Sequence, residues 1–251
     1  MTHALNEYSW PGQARYAVSL CYDDGNPNNL DYAIPDLETE GIRGTFYLHV
    51  GRQDVQDHAN DWQAADRQGH EIGNHSWNHN CRVDGGVRHA WISKPLEEYT
   101  RADMVAEVAR SADWIDAHVG IDQDRSFAYH CGQTAIGNPP DHLAYAEAVR
   151  TRHRFARISG NTVNDPLLVD LEKINSVFFA GNTFEEFAEA IEQARRIRGW
   201  ACLGFHGIGG ESHTTTRETH RRILQHLHQQ NCWVAPIRDV ARYIQRQRLA
   251  R

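Results

Sequence analysis

Tyr16-Ala17-Val18-Ser19-Leu20-Cys21-Tyr22-Asp23-Asp24-Gly25-Asn26-Pro27-Asn28 is the stretch on which the fold turns. An apolar, β-prone run from Tyr16 to Tyr22 stops at two aspartates and a glycine. A loop then leads into a helical pattern, Asn29 to Glu40, where a hairpin would have returned a strand. Strand, loop and helix in that order make half of a βαβ unit, and the same alternation continues to the C-terminus. Further strands are expected at Gly44 to Val50, Glu71 to His75, Ser126 to Cys131, Phe155 to Ser159, Ile174 to Phe179, Ala201 to His206 and Cys232 to Ile237. Helical periodicity lies between them at Asn60 to Arg67, Leu96 to His118, Asp141 to Arg152, Phe184 to Arg198, Arg217 to Gln229 and Arg238 to Gln247. Thr183 reads as an N-cap and Gly199 as the stop of the same helix, while Pro139-Pro140 opens another. The expectation is an α/β barrel of seven or eight parallel strands.

With 251 residues, no repeat and no Pro/Ser linker, the chain reads as one domain over 1–251. It is 40% hydrophobic and 24% charged, which supplies a core and excludes a membrane protein. The net charge of -7 gives no electrostatic reason to bind nucleic acid. The arginines of the last third sit among Glu and Gln on helical stretches and read as solvated faces. Met1 to Ala14 holds no apolar run long enough for a leader. The cysteines, Cys21, Cys81, Cys131, Cys202 and Cys232, are odd in number and scattered, which suits reduced thiols better than a disulfide framework. A cytoplasmic setting is favoured, with secretion remaining open if a leader has been removed.

In a parallel barrel the site gathers at the carboxyl ends of the strands. There the first strand presents Asp23-Asp24-Gly25, the third His75, the fourth His130-Cys131-Gly132 and the seventh His206. Asp24, His75 and His79 make two imidazoles and one carboxylate, a set that leaves open positions on a metal such as zinc. Among 16 histidines roughly one HxxxH pair arises by chance, so the weight of His75 and His79 comes from their place after a strand. An Asp-Asp-Gly turn is also common on surfaces; the helix beyond it argues for a site.

Cys21-Tyr22-Asp23-Asp24-Gly25 resembles the Thr-Phe-Asp-Asp-Gly motif of the polysaccharide deacetylase family (NodB-homology, carbohydrate esterase family 4-like), and His75-Ser76-Trp77-Asn78-His79 resembles its His-Ser/Thr-x-x-His motif. Gly44 to Leu48, Leu203 to His206 and Trp233 to Ile244 resemble further family segments, so the likeness spans roughly residues 14 to 244. It implies a distorted barrel of that family's type, with Asp24, His75 and His79 as metal ligands, Asp23 as general base, His206 as general acid and the Cys131 backbone N–H as oxyanion donor. The implied cofactor is a divalent metal, zinc first, with cobalt, nickel or manganese as alternatives. The implied substrate is an N- or O-acetylated carbohydrate of the chitin-oligosaccharide, peptidoglycan or xylan type. No membrane or nucleic-acid partner is expected, and a homo-oligomer stays open.

The largest departure is in the third motif, where Arg-x-Pro-x-Gly becomes Ala128-Tyr129-His130-Cys131-Gly132. Arg157, at the end of the next strand, is the candidate to restore the missing charge. Tyr129, His130, Trp77 and Arg157 are the expected substrate contacts, with Trp91 a lesser aromatic candidate. Asn80 replaces a motif proline, and only Asp165 and Asp170 are local candidates to tune His206. The Gly160 to Glu172 loop is expected to shape the open face. Two rival readings remain: a same-fold amidohydrolase acting on a cyclic imide or ureide, and an inactive carbohydrate-binding barrel.

Overall fold

A computed structural model describes residues 8–83, 89–138, 143–178, 183–210 and 214–250. Its strands are β1 (Tyr16–Tyr22), β2 (Thr45–Leu48), β3 (Glu71–Asn74), β4 (Phe127–Ala128), β5 (Ala135–Ile136), β6 (Leu143–Ala144), β7 (Ala156–Ser159), β8 (Ile174–Phe178), β9 (Trp200–Phe205), β10 (Gly207–Ile208), β11 (Thr214–Thr215) and β12 (Cys232–Val234). The α-helices are α1 (Ile34–Thr39), α2 (Gln53–Asp57), α3 (Ala59–Arg67), α4 (Arg101–His118), α5 (Ala146–Val149), α6 (Phe184–Ile197), α7 (Arg217–His228) and α8 (Ile237–Leu249). Among the described residues no helix is long and apolar enough to cross a membrane.

Strands β1, β2, β3, β4, β7, β8 and β9 pair in parallel in that order, and β9 returns to β1 to close a seven-strand barrel. The eighth expected strand, β12, lies beside Tyr16 to Val18, whereas β2 pairs with β1 only at Cys21 and Tyr22. One flank of β1 is therefore shared between two strands, and the barrel is distorted there.

Alternate residues of β1 face different layers, as the period of a strand requires. Tyr16, Val18, Leu20 and Tyr22 pack into the cluster that includes α6 and α7, while Ala17 and Cys21 join Tyr47, Ala128, Trp200 and Cys202 in a second cluster. Helix α8 belongs to that second cluster and starts against the amino ends of β2 and β3, where Ile237 N–H donates to Thr45 Oγ1 and Arg238 N–H to Glu71 Oε2, each at 2.9 Å. Buried Glu71 also accepts from Thr45 Oγ1 and Ser126 N–H, so one carboxylate ties four elements at the closed end of the barrel.

Several expected boundaries move for local reasons. Strand β4 ends at Ala128 because His130–Gly132 forms a 3-10 turn with Cys131 at φ 53°. The long pattern from Leu96 splits, with α4 starting behind a Thr100/Asp103 capping box. Of the helix expected over 141–152 only Ala146–Val149 is helical. Pro139, Pro140 and Asp141, and the expected strand end at Phe179, lie outside the described residues. Thr183 does cap α6, but the left-handed stop is Arg198, at φ 53°. Gly199 is needed for space: a Cβ there would lie 2.5 Å from the Asn164 carbonyl oxygen.

Candidate metal and catalytic centre

Asp24 at φ 70°, Ser76 at φ 68°, His79 at φ 53° and Cys131 at φ 53° are all left-handed non-glycine residues. Each such residue costs of order 1–3 kcal/mol, and they persist where surrounding structure over-determines them. At Asp24 the turn has a clear use. It breaks the alternation of β1, so that Asp23 and Asp24 both reach the third-strand loop: His75 Nε2 lies 3.7 Å from Asp23 Oδ2 and 3.6 Å from Asp24 Oδ1.

His79 Nε2 lies 3.4 Å from Asp24 Oδ1 and 3.2 Å from His75 Nε2. A cation with bonds of about 2.0–2.1 Å holds its donors about 3.0 Å apart in an octahedron and about 3.4 Å apart in a tetrahedron. The three donor atoms are thus spaced as ligands of one ion. His75 Nδ1 donates to the Ala128 carbonyl at 2.9 Å, which leaves the Nε2 lone pair facing His79. Two imidazole lone pairs at 3.2 Å repel unless a proton or cation stands between them. Burial pushes the pKa of His75 well down, with nearby His79 adding to it, and burial lowers His79 against the pull of Asp24 and Asp23. Both rings are held in the neutral form that binds metal.

Asp23 is buried and its Oδ1 accepts from Arg157 Nη2. Arg157 is 0% exposed, with its guanidinium 4.8 Å from the Tyr47 ring and 5.0 Å from the Phe178 ring. Burial works against its charge, but Asp23, Cys21 and Tyr47 together outweigh burial and push the pKa up. Arg157 pairs in register with Ala128, the position at which the motif arginine is missing. The structure places it fully buried against Asp23, as the expected replacement for the missing charge, and not on an exposed surface.

A sequence profile described as polysaccharide deacetylase matches residues 12–150, more than half of the chain. The chain belongs to the polysaccharide deacetylase family. None of the curated proteins matches it. Among solved structures, a Mycobacterium smegmatis protein assigned to the polysaccharide deacetylases superposes with a TM-score of 0.68 at 13% identity, over 96% of this chain and 94% of that one. The peptidoglycan deacetylase PdaC of Bacillus subtilis gives 0.56 at 15% identity, over 94% of each chain. A family 4 acetyl xylan esterase from Clostridium thermocellum, in complex with a cobalt ion, gives 0.56 at 21%, over 89% of each. At these identities the likeness establishes the deacetylase barrel.

Around the three donors this member of the polysaccharide deacetylase family differs from several sequence expectations. Tyr129 is buried, edge-on to Phe127 and Tyr145, and Trp77 is turned away with the Arg110 guanidinium 3.7 Å over its ring. Neither reaches the donor cluster. His130 does border it: its ring centroid is 5.2 Å from that of His79, and its Nε2 is 2.8 Å from Tyr145 Oη. The exposed aromatic at the cluster is Trp91, 52% accessible, 5.7 Å from the His79 ring and stacked on His89.

His49 was not anticipated. Its ring is 5.2 Å from His79, and burial, reinforced by His79, pushes its pKa down to about 4. It directly succeeds β2, so the strand-end rule used for the other residues would have found it. Glu107 of α4 was also missed; it accepts from Trp77 N–H, Asn78 N–H and Asn78 Nδ2 at 3.1, 2.5 and 2.7 Å and holds the loop that ends in His79.

His206 comes directly after β9, close enough for its charge to lower the pKa of His79, and its carbonyl accepts from Asn29 Nδ2 at 2.8 Å. Asp165 and Asp170 do not serve it. Their carboxylates accept from Leu167 and Glu172 N–H, and neighbouring Asn164 bridges Trp200 at the start of β9, so this loop runs to the opposite end of the barrel from the expected open face. The expectation of reduced thiols is overturned at one pair: Cys81 and Cys131 form a disulfide, with Cα atoms 6.1 Å apart. Cys131 is exposed, not a buried thiol, while Cys21, Cys202 and Cys232 are free.

Proposed function

We propose that the chain is a metal-dependent hydrolase that removes acetyl groups from an N- or O-acetylated carbohydrate of the chitin-oligosaccharide, peptidoglycan or xylan type. The convergence of Asp24 Oδ1, His75 Nε2 and His79 Nε2 within 3.6 Å of one another, with buried Asp23 alongside, carries the reading. These residues would hold one divalent cation, zinc by its donor chemistry with cobalt, nickel or manganese as alternatives, which supplies a Lewis acid for the acetyl carbonyl and an acidified water.

The chain's own groups do the rest. Asp23, with Oδ1 tethered by Arg157, keeps Oδ2 on the His75 side as the base that takes the water's proton. The Cys131 backbone N–H supports the developing oxyanion, and His206 protonates the departing amine or alcohol. Trp91 offers a face for a sugar ring, and His130 lines the inner wall.

Purified protein is assayed on acetylated chito-, xylo- and peptidoglycan oligosaccharides, with a cyclic imide as comparison, before and after chelation. Acetate release that chelation abolishes and zinc or cobalt restores, and that Asp23→Asn removes, supports the reading. Turnover indifferent to the chelator, or confined to the cyclic imide, overturns it.

A further inference from the structure

The two backbone segments that carry His79 and the Cys131 N–H have both left the barrel strands, β3 at Asn74 and β4 at Ala128. Each uses left-handed residues, Ser76 and His79 in one and Cys131 with Gly132 in the other. Strand pairing therefore fixes neither; Glu107 and the N–H groups of Val50 and Gly51 hold the histidine loop as far as Asn78, and beyond that point its position against the Cys131 turn rests on what joins the two directly. The Cys81–Cys131 bond begins two residues beyond His79 and ends at the turn itself. Beside it Arg82 also spans the two segments, its N–H donating to Gln133 Oε1 at 2.7 Å and its Nη1 to the Ala135 and Gly137 carbonyls at 3.4 and 3.1 Å, hydrogen bonds that are each weak next to a covalent bond. The turn's own hydrogen bonds, Gly132 N–H to the Tyr129 carbonyl and Gln133 N–H to the His130 carbonyl, are internal to it and do not reach the histidine loop.

We propose that the Cys81–Cys131 disulfide is a positioning element of the site, holding the His79 loop against the Cys131 turn, so that reductive cleavage weakens metal binding and turnover together. Only the turnover part rests on the hydrolase reading above. Cys131 is exposed and Cys81 buried, so a dithiol reductant reaches the bridge at the Cys131 sulfur and releases Cys81 as the leaving thiol. The dithiol closes to its own disulfide; its two electrons and two protons end on the cysteine sulfurs. Loss of a group that orients a metal ligand typically weakens metal affinity by about 10- to 100-fold. A bridge that served only as a staple on the unfolded chain would lower thermal stability and leave these quantities alone.

The test compares oxidised protein, protein reduced with a dithiol and desalted without oxygen, and the variant Cys81→Ala/Cys131→Ala. Zinc affinity is read by competition with a chromophoric chelator, and kcat and KM on the best acetylated substrate. The expected result is zinc affinity and kcat each about tenfold lower in the reduced protein and in the variant, with KM within about twofold and no response of the variant to dithiol. If that variant does not fold, Cys81→Ser/Cys131→Ser decides in its place, because the two thiols of the reduced wild-type protein lie beside His79 and offer zinc a second set of ligands. Zinc affinity unchanged within about twofold in the variant overturns the proposal even if the melting temperature falls. Weakened zinc binding without turnover of any acetylated sugar in either state upholds the strap and defeats the hydrolase reading instead.

Discussion

Arg157 stands opposite Ala128 in the β4–β7 pairing and reaches from that level to the carboxylate of Asp23. The positive charge that the third motif lacks is supplied one strand over, at the same height in the barrel. Removing it leaves a buried carboxylate without its partner, a loss of about 3–5 kcal/mol for such pairs. Arg157→Met is expected to lower the melting temperature and to cut kcat about 100-fold, because the proposed base loses both charge support and orientation. Adding Ala128→Arg to that variant is expected to recover at least about tenfold of the lost kcat, measured under saturating substrate.

Zinc added at about 100 times its dissociation constant is expected to stabilise the fold by about 2.7 kcal/mol, which for a chain of this size raises the melting temperature by about 5–10 °C. His79→Ala and Asp24→Ala abolish that shift. Thermal melts with and without chelator read it, and an unchanged shift in both variants removes the three-donor site.

Trp91 and Trp77 separate a substrate contact from a packing residue. Trp91→Ala is expected to raise KM for an oligosaccharide about tenfold, the equivalent of one stacked ring, with the melting temperature nearly constant. Trp77→Ala lowers stability through lost packing and the Arg110 contact while KM stays put. Steady-state kinetics and melts on the same samples distinguish them.

His153 gives the stability curve an acid limb. Burial pushes its pKa down from 6.5 to about 4, its Nδ1 donates to the Arg125 carbonyl at 3.0 Å and its Nε2 accepts from Asn74 at 2.9 Å. The unfolded chain takes up the proton first, so the stabilisation is complete above about pH 6.5 and is lost as the pH falls toward about 4, by roughly 3 kcal/mol. Denaturant titrations across that window are expected to show a shallower slope in His153→Gln.

Strand order and the donor set were readable because they rest on residue type. Apolar runs ending at Asp24-Gly25 and His75 mark strand termini whatever surrounds them, and two imidazoles with a carboxylate suit a metal wherever they meet. The helical pattern over 141–152 foretold a helix but not its extent: only Ala146–Val149 is helical, since periodicity marks a stretch and not where it stops. Glu107 was invisible for the opposite reason: it sits at an ordinary helical position, and only the packing of α4 against the histidine loop gives it a task.

Residue order alone dictated a parallel α/β barrel, the family, and which carboxylates and imidazoles gather at one end of the strands, because alternation and strand-end chemistry are local properties. Two outcomes waited on the folded chain, that Cys81 pairs with Cys131 across a separation of 50 residues and that Trp91 rather than Trp77 stands at the donors, and for Arg157, already the candidate for the charge missing at Ala128, the fold supplied the contact with Asp23. They depend on register and loop path, where the direction of a side chain is set by distant neighbours in space and not by the residues beside it in the chain.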